Sequence, residues 1–158
     1  NHFQNNTMID TIVCLDGTEL IGAFMAEFLA DTGIMSINSG KNISIITPDV
    51  NAYGQLVFMD STLRMIKHMQ VLVLAASVTT GQTITRAAEA VSYYGGTVRG
   101  VAAILSNVEQ TAEGMEIFSI FQKEDLPDYQ AYLPSECPMC RKKMPIDAIV
   151  NSFGYSKL

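Results

Sequence analysis

Val71-Leu72-Val73-Leu74-Ala75-Ala76-Ser77-Val78-Thr79-Thr80-Gly81-Gln82-Thr83 is the stretch from which the fold is read. Residues 71–74 form a continuous run of β-branched and large aliphatic side chains, the pattern of a central parallel strand covered on both faces. After the turn, apolar residues recur at Ile84, Ala87, Ala88 and Val91, a helical period over 82–94 that stops at Gly95-Gly96. Strand, hydroxyl-rich turn and helix thus follow one another directly. In an open α/β sheet, ligands bind beyond the carboxyl ends of strands, where helix N-termini present free N–H groups. Thr79, Thr80, Gly81, Gln82 and Thr83 occupy that place. Three hydroxyls, a glycine that lets the backbone come close and a positive helix end suit a phosphate monoester. An ordinary Thr-rich N-cap with no ligand is the competing reading.

Working outward, residues 9–15 (IDTIVCL) read as a short strand that breaks at Asp16-Gly17. Thr18 then opens a helix with apolar positions Leu20, Ile21, Phe24, Phe28 and Leu29, ended at Gly33. Residues 43–46 predict a strand stopped by Thr47-Pro48, residues 48–55 a loop, and 56–58 a brief return strand. A helical turn or two is expected within 61–69, a further buried strand over 98–105, and a later or edge strand over 116–121. This order predicts a doubly wound, mostly parallel open α/β sheet with right-handed crossovers. From Lys123 the composition shifts: Pro127, Pro134, Pro138 and Pro145 fall there, around Cys137-Pro138-Met139-Cys140. The chain is therefore divided into an α/β core, 1–122, and a C-terminal appendage, 123–158, with a short helix expected over 146–152.

The 158 residues are 48% hydrophobic and 16% charged, a balance that fits one globular domain and excludes a disordered polymer. At this length about 70% of the unfolded surface can be buried, so no staple is required for stability. No apolar run approaches the roughly 20 residues of a membrane span. The first ten residues, NHFQNNTMID, lack the basic start and apolar core of a signal peptide. Three cysteines make no secreted disulfide framework, and the expected location is the cytoplasm. Ten Lys and Arg against 16 Asp and Glu give a net charge of −6, which argues against a nucleic-acid partner. The only basic run, Arg141-Lys142-Lys143, reads as a solvated turn.

A second strand-to-helix segment, Leu15-Asp16-Gly17-Thr18-Glu19-Leu20-Ile21-Gly22, has its glycines at P-loop spacing. Ala23 stands where the phosphate-binding lysine would be, so a Walker site is rejected, and no GxGxxG fingerprint is present. Taken alone, this segment also reads as a glycine turn before a capped helix. Cys137 and Cys140 have the spacing of half a four-ligand Zn²⁺ site. Zinc completed by ligands elsewhere or by a second chain, reduced structural thiols and a redox dithiol all stay open for this pair.

Taken together, the two segments resemble the type I phosphoribosyltransferases. The loop that binds 5-phospho-α-D-ribosyl 1-diphosphate (PRPP) in that family reads four apolar residues, two acids, two residues, Thr-Thr-Gly, one residue and Thr. Residues 71–83 match it except at the acids, where Ala75 and Ala76 stand. The resemblance spans about residues 8–122. Within the family the chain is similar to orotate phosphoribosyltransferase-like proteins that end in a Cys-x-x-Cys tail and a segment like NSFGYSKL. It implies the type I phosphoribosyltransferase fold, a homodimer, and transfer of a nucleobase such as orotate to PRPP with Mg²⁺ and release of pyrophosphate, in pyrimidine biosynthesis. By the same resemblance Thr79, Thr80, Gly81, Gln82 and Thr83 hold the 5′-phosphate, and Asp16, Gly17, Thr18 and Glu19 form the pyrophosphate loop. No catalytic residue is assigned. Against this pattern, the stretch 47–55 contains no cation where the orotate enzymes carry a basic mobile loop. Arg64, Lys67 and His68 either substitute for it or line a solvated helix face; His2 is read as terminal and uninvolved. The alternative function is a catalytically degenerate sensor that binds PRPP or a nucleotide.

Overall fold

The computed structural model describes every residue except 1, 2, 4, 5, 32–35, 128, 134, 152 and 153, so His2 and the expected helix stop at Gly33 lie outside the described residues. The chain runs β1 (Thr11–Cys14), α1 (Glu19–Asp31), β2 (Ser44–Ile46), β3 (Asp49–Val50), β4 (Leu56–Val57), β5 (Gln70–Val78), α2 (Gln82–Tyr93), β6 (Thr97–Ser106) and β7 (Ile117–Gln122). After these come α3 (Pro138–Arg141), β8 (Ala148–Asn151) and β9 (Gly154–Lys157). The main sheet has the order β2-β1-β5-β6-β7, with every neighbouring pair parallel.

The two-residue period of the strands decides what each face carries. Val13, Val71, Val73 and Ala75 point to one side, where Ile84, Ala87 and Val91 of α2 close over them. Ile12, Cys14, Leu72 and Leu74 point to the other, against Ala26 and Leu29 of α1. Each fully buried aliphatic side chain contributes roughly 1.5–3 kcal/mol, so β1 and β5, buried on both faces, anchor the molecule. Helices on both faces of a parallel sheet make it doubly wound, as the sequence predicts. Helix α2 stops in a Schellman turn: Gly96 N–H donates to Val91 O and Gly95 N–H to Ser92 O.

Two expectations fail. Residues 48–55 are not wholly loop, because Asp49–Val50 pairs antiparallel with Leu56–Val57. Asn51 closes that hairpin, its Oδ1 accepting from the Tyr53 and Gln55 N–H groups, a local side-chain turn that the composition alone does not reveal. The expected helix over 146–152 is instead β8 of an antiparallel hairpin with β9. Adjacent β-branched Ile149 and Val150 favour the strand, and the pairing of Ala148–Asn151 with Gly154–Lys157 holds it. The tail's short helical pieces are a 3₁₀ turn at Lys123–Asp125 and α3, and residues 61–69 contain a single 3₁₀ turn at Leu63–Met65. Among the described residues no helix is long and apolar enough to cross a membrane.

Candidate functional site

β2 lies on one side of β1 while β5, β6 and β7 lie on the other, so the strand order reverses between β1 and β5. Ligands of open α/β sheets bind at such a switch point, outside the carboxyl ends of the strands. Cys14 pairs in register with Leu74, and residues 75–78 carry β5 past the end of β1. Both candidate loops leave the sheet at this edge.

Gly81 is the N-cap of α2, with a left-handed φ of +79°, and as a glycine it brings no capping side chain of its own. The capping position is thus taken by the glycine rather than by one of the threonines. The first-turn N–H groups of α2 are left for an outside acceptor, the arrangement that receives phosphate. Residues 75 and 77–84 line a hollow of about 30 Å³ there, too small for a nucleobase. Its shape is set from behind: a Cβ on Gly81 would lie 3.4 Å from the Cα of Thr111, itself buried. The turn at Thr111 is closed by its N–H to Met115 O and by Met115 N–H to its Oγ1, while Asn107 N–H holds Val78 O at 2.8 Å. Thr85 Oγ1 donates to Glu113 Oε2 at 2.7 Å, and this hydroxyl holds the Glu113 carboxyl below its ordinary range. Sequence reasoning missed these supports, because nothing local marks residues 107–115 as partners of Gly81.

In the second loop, Asp16 (φ +57°) and Gly17 (φ +77°) are left-handed and exposed. Thr18 is buried, and its hydroxyl is shared between Leu15 O at 2.8 Å and Leu74 O at 3.2 Å, which fastens the loop to β5. Glu19 is exposed and accepts from Thr47 Oγ1 at 3.0 Å, linking the loop to the end of β2. Asp16, Gly17 and Glu19 are thus accessible to a ligand, while Thr18 positions them. Beneath the loop, burial pushes the Cys14 thiol up to about 11, which keeps it neutral.

Ala75 is buried in the core at the floor of the hollow and Ala76 is half-buried, so neither position offers a carboxylate. Arg64, Lys67 and His68 precede the amino end of β5. Its nine residues span roughly 30 Å, which removes the three from the site and leaves the solvated reading. The cation beside the β3–β4 hairpin comes instead from α2: Arg86 shares a groove of about 690 Å³ with Tyr53, Glu89 and Tyr93. Cys137 caps α3, and Cys140 N–H donates to its Sγ at 3.3 Å. Among the described residues no group of three or more His, Cys, Asp and Glu stands together as a metal site.

No family model matches the chain. Over 80 residues it is 35% identical to the orotate phosphoribosyltransferase of Chlorobaculum parvum, an alignment covering 50% of this chain and 39% of that protein. The chain thus spans about two fifths of the length of the curated relative it matches. Among solved structures, the hypoxanthine phosphoribosyltransferase of Trypanosoma cruzi superposes with a TM-score of 0.52 at 14% identity, over 71% of this chain and 59% of that one. The orotate phosphoribosyltransferase of Mycobacterium tuberculosis in complex with PRPP gives 0.51 at 22% identity, over 77% of this chain and 67% of that one.

Proposed function

We propose that this chain, whose fold is that of the type I phosphoribosyltransferases, binds PRPP across the β1–β5 switch point and transfers its phosphoribosyl group to a nucleobase, orotate first among them. The observation that carries the reading is the left-handed Gly81, which opens the N-terminus of α2 beside a hollow of about 30 Å³ lined by residues of this loop. Thr79, Thr80, Gly81, Gln82 and Thr83 hold the 5′-phosphate; Asp16, Gly17, Thr18 and Glu19 form the loop for the pyrophosphate. A ring nitrogen of the base bonds to C1′ as the bond from C1′ to the pyrophosphate oxygen breaks. The Chlorobaculum relative, an orotate phosphoribosyltransferase, supports orotate as the base; on this reading the chain acts as a cytoplasmic homodimer in pyrimidine biosynthesis.

Asp16 and Glu19 would repel a pyrophosphate unless a cation lay between them. Mg²⁺ fits this donor set, since it is held by one or two carboxylates together with substrate oxygens and water. When bound it would supply charge neutralisation at the departing pyrophosphate.

Ala75 and Ala76 favour a second reading, a PRPP or nucleotide sensor that has lost catalysis. With no carboxylate at either position and no cation in 47–55, transition-state stabilisation falls by several kcal/mol. A product assay with PRPP, Mg²⁺ and a panel of nucleobases decides between them. Turnover by the natural chain establishes the transferase. Binding of PRPP or a nucleoside monophosphate without turnover, with activity appearing in Ala75→Asp/Ala76→Asp, establishes the sensor, and failure to bind either ligand overturns both.

A further inference from the structure

We propose that Cys137 and Cys140 are half of a structural zinc site completed by the same pair from a second copy of the chain, so that one Zn²⁺ joins two C-terminal segments through four thiolates. The two sulfurs share one turn. Cys137 caps α3, Pro138 starts the helix and fixes the turn, and Cys140 N–H is aimed at the Cys137 Sγ at 3.3 Å. Structural zinc is tetrahedral with four protein ligands, often as Cys-x-x-Cys pairs. Among the described residues no third His, Cys, Asp or Glu joins this pair, so the turn supplies two ligands and needs two more.

A second copy supplies them in the same geometry, related by a two-fold axis through the metal. Access is open: Cys140 is exposed and Cys137 only half-buried. Four thiolates on Zn²⁺ carry a net charge of −2. Arg141, Lys142 and Lys143, all exposed, follow the second cysteine directly, and two copies bring this basic run to the same metal. The segment also lacks other means of support. Among the described residues from 123 onward none is buried, and β8 and β9 form a separate two-stranded sheet, marginal by itself in water. Segments without a core of their own are held by disulfides, metals or association, and the site provides the last two.

The test is metal titration of the full chain, reduced and stripped of metal by chelator, with Co²⁺ and then Zn²⁺. Expected are intense tetrahedral Co²⁺ bands with thiolate charge transfer, saturating at one metal per two chains, bleached by Zn²⁺, and four sulfurs at about 2.3 Å from zinc by X-ray absorption. Cys140→Ser should abolish this uptake while PRPP calorimetry stays unchanged, which separates the zinc site from the nucleotide reading. Saturation at one metal per chain, uptake surviving in Cys137→Ser/Cys140→Ser, or a Cys137–Cys140 disulfide forming in a chain that takes up no metal would each overturn the proposal.

Discussion

A Cβ built on Gly22 would lie 2.5 Å from the sulfur of Cys14, so α1 rests on β1 at a separation that only glycine permits. Gly22 N–H also donates to Thr18 O at 2.8 Å, which ties this close approach to the loop of residues 16–19. Gly22→Ala should therefore destabilise the fold by about 1–3 kcal/mol, seen as a lower urea midpoint at constant m. In a Cys14→Ala background the sulfur is gone, and most of that loss should disappear in the double-mutant cycle. Fully additive losses would place the cause elsewhere.

Gly81→Val should eliminate PRPP binding by calorimetry. The valine would have to adopt φ +79°, which costs roughly 1–2 kcal/mol, and its Cβ would press on Thr111 at 3.4 Å. Gly81→Asn, which tolerates the left-handed region, should retain part of the affinity. Unchanged binding in the valine variant would remove residues 79–83 from the phosphate site.

Residues 71–74 announce a buried strand because their side chains face two helices, and the hydroxyl-rich turn announces its place at the switch point. Other features depend on information outside any local window. Thr18 displays a hydroxyl in the sequence but not its inward direction, toward Leu15 O and Leu74 O. Thr111 supports Gly81 only after β6 has crossed back beside β5. Residues 146–152 allow a helical reading by themselves, and the outcome is settled by pairing with β9, which starts at Gly154. Arg86 lies beside the β3–β4 hairpin because α2 packs next to it, a relation that the cation-free loop sequence hides.

Asp10 Oδ1 accepts from Lys41 Nζ at 2.8 Å and its Oδ2 from Gln70 N–H at 3.0 Å. Burial alone would raise the carboxyl, but the Lys41 and Gln70 bonds outweigh it and hold the group below its ordinary 3.8. A depressed folded value means that the stabilisation is complete above the unfolded pKa, near 4, and is lost as pH falls through the folded value. Asp10→Asn should cost about 1 kcal/mol at pH 7, and the deficit should shrink toward pH 2 in urea midpoints. An equal deficit at both pH values would break the link to ionisation.

Cys14 is fully buried and its thiol is pushed up to about 11, first by burial and also by the Glu19 charge, against a hydrogen bond from Thr18. At pH 7 the thiolate fraction is therefore about one in ten thousand, and the reactive species is the thiolate. In the reduced, metal-free native chain, iodoacetamide should label Cys137 and Cys140 and leave Cys14 unmodified by peptide mass spectrometry, whereas labelling in urea should reach all three. Raising the pH toward 9 should still leave native Cys14 untouched, because its sulfur lies beneath α1 as well as being protonated. Native labelling of Cys14 at a rate near that of Cys140 would mean that α1 lifts from the sheet, and with it the loop that presents Asp16 and Glu19.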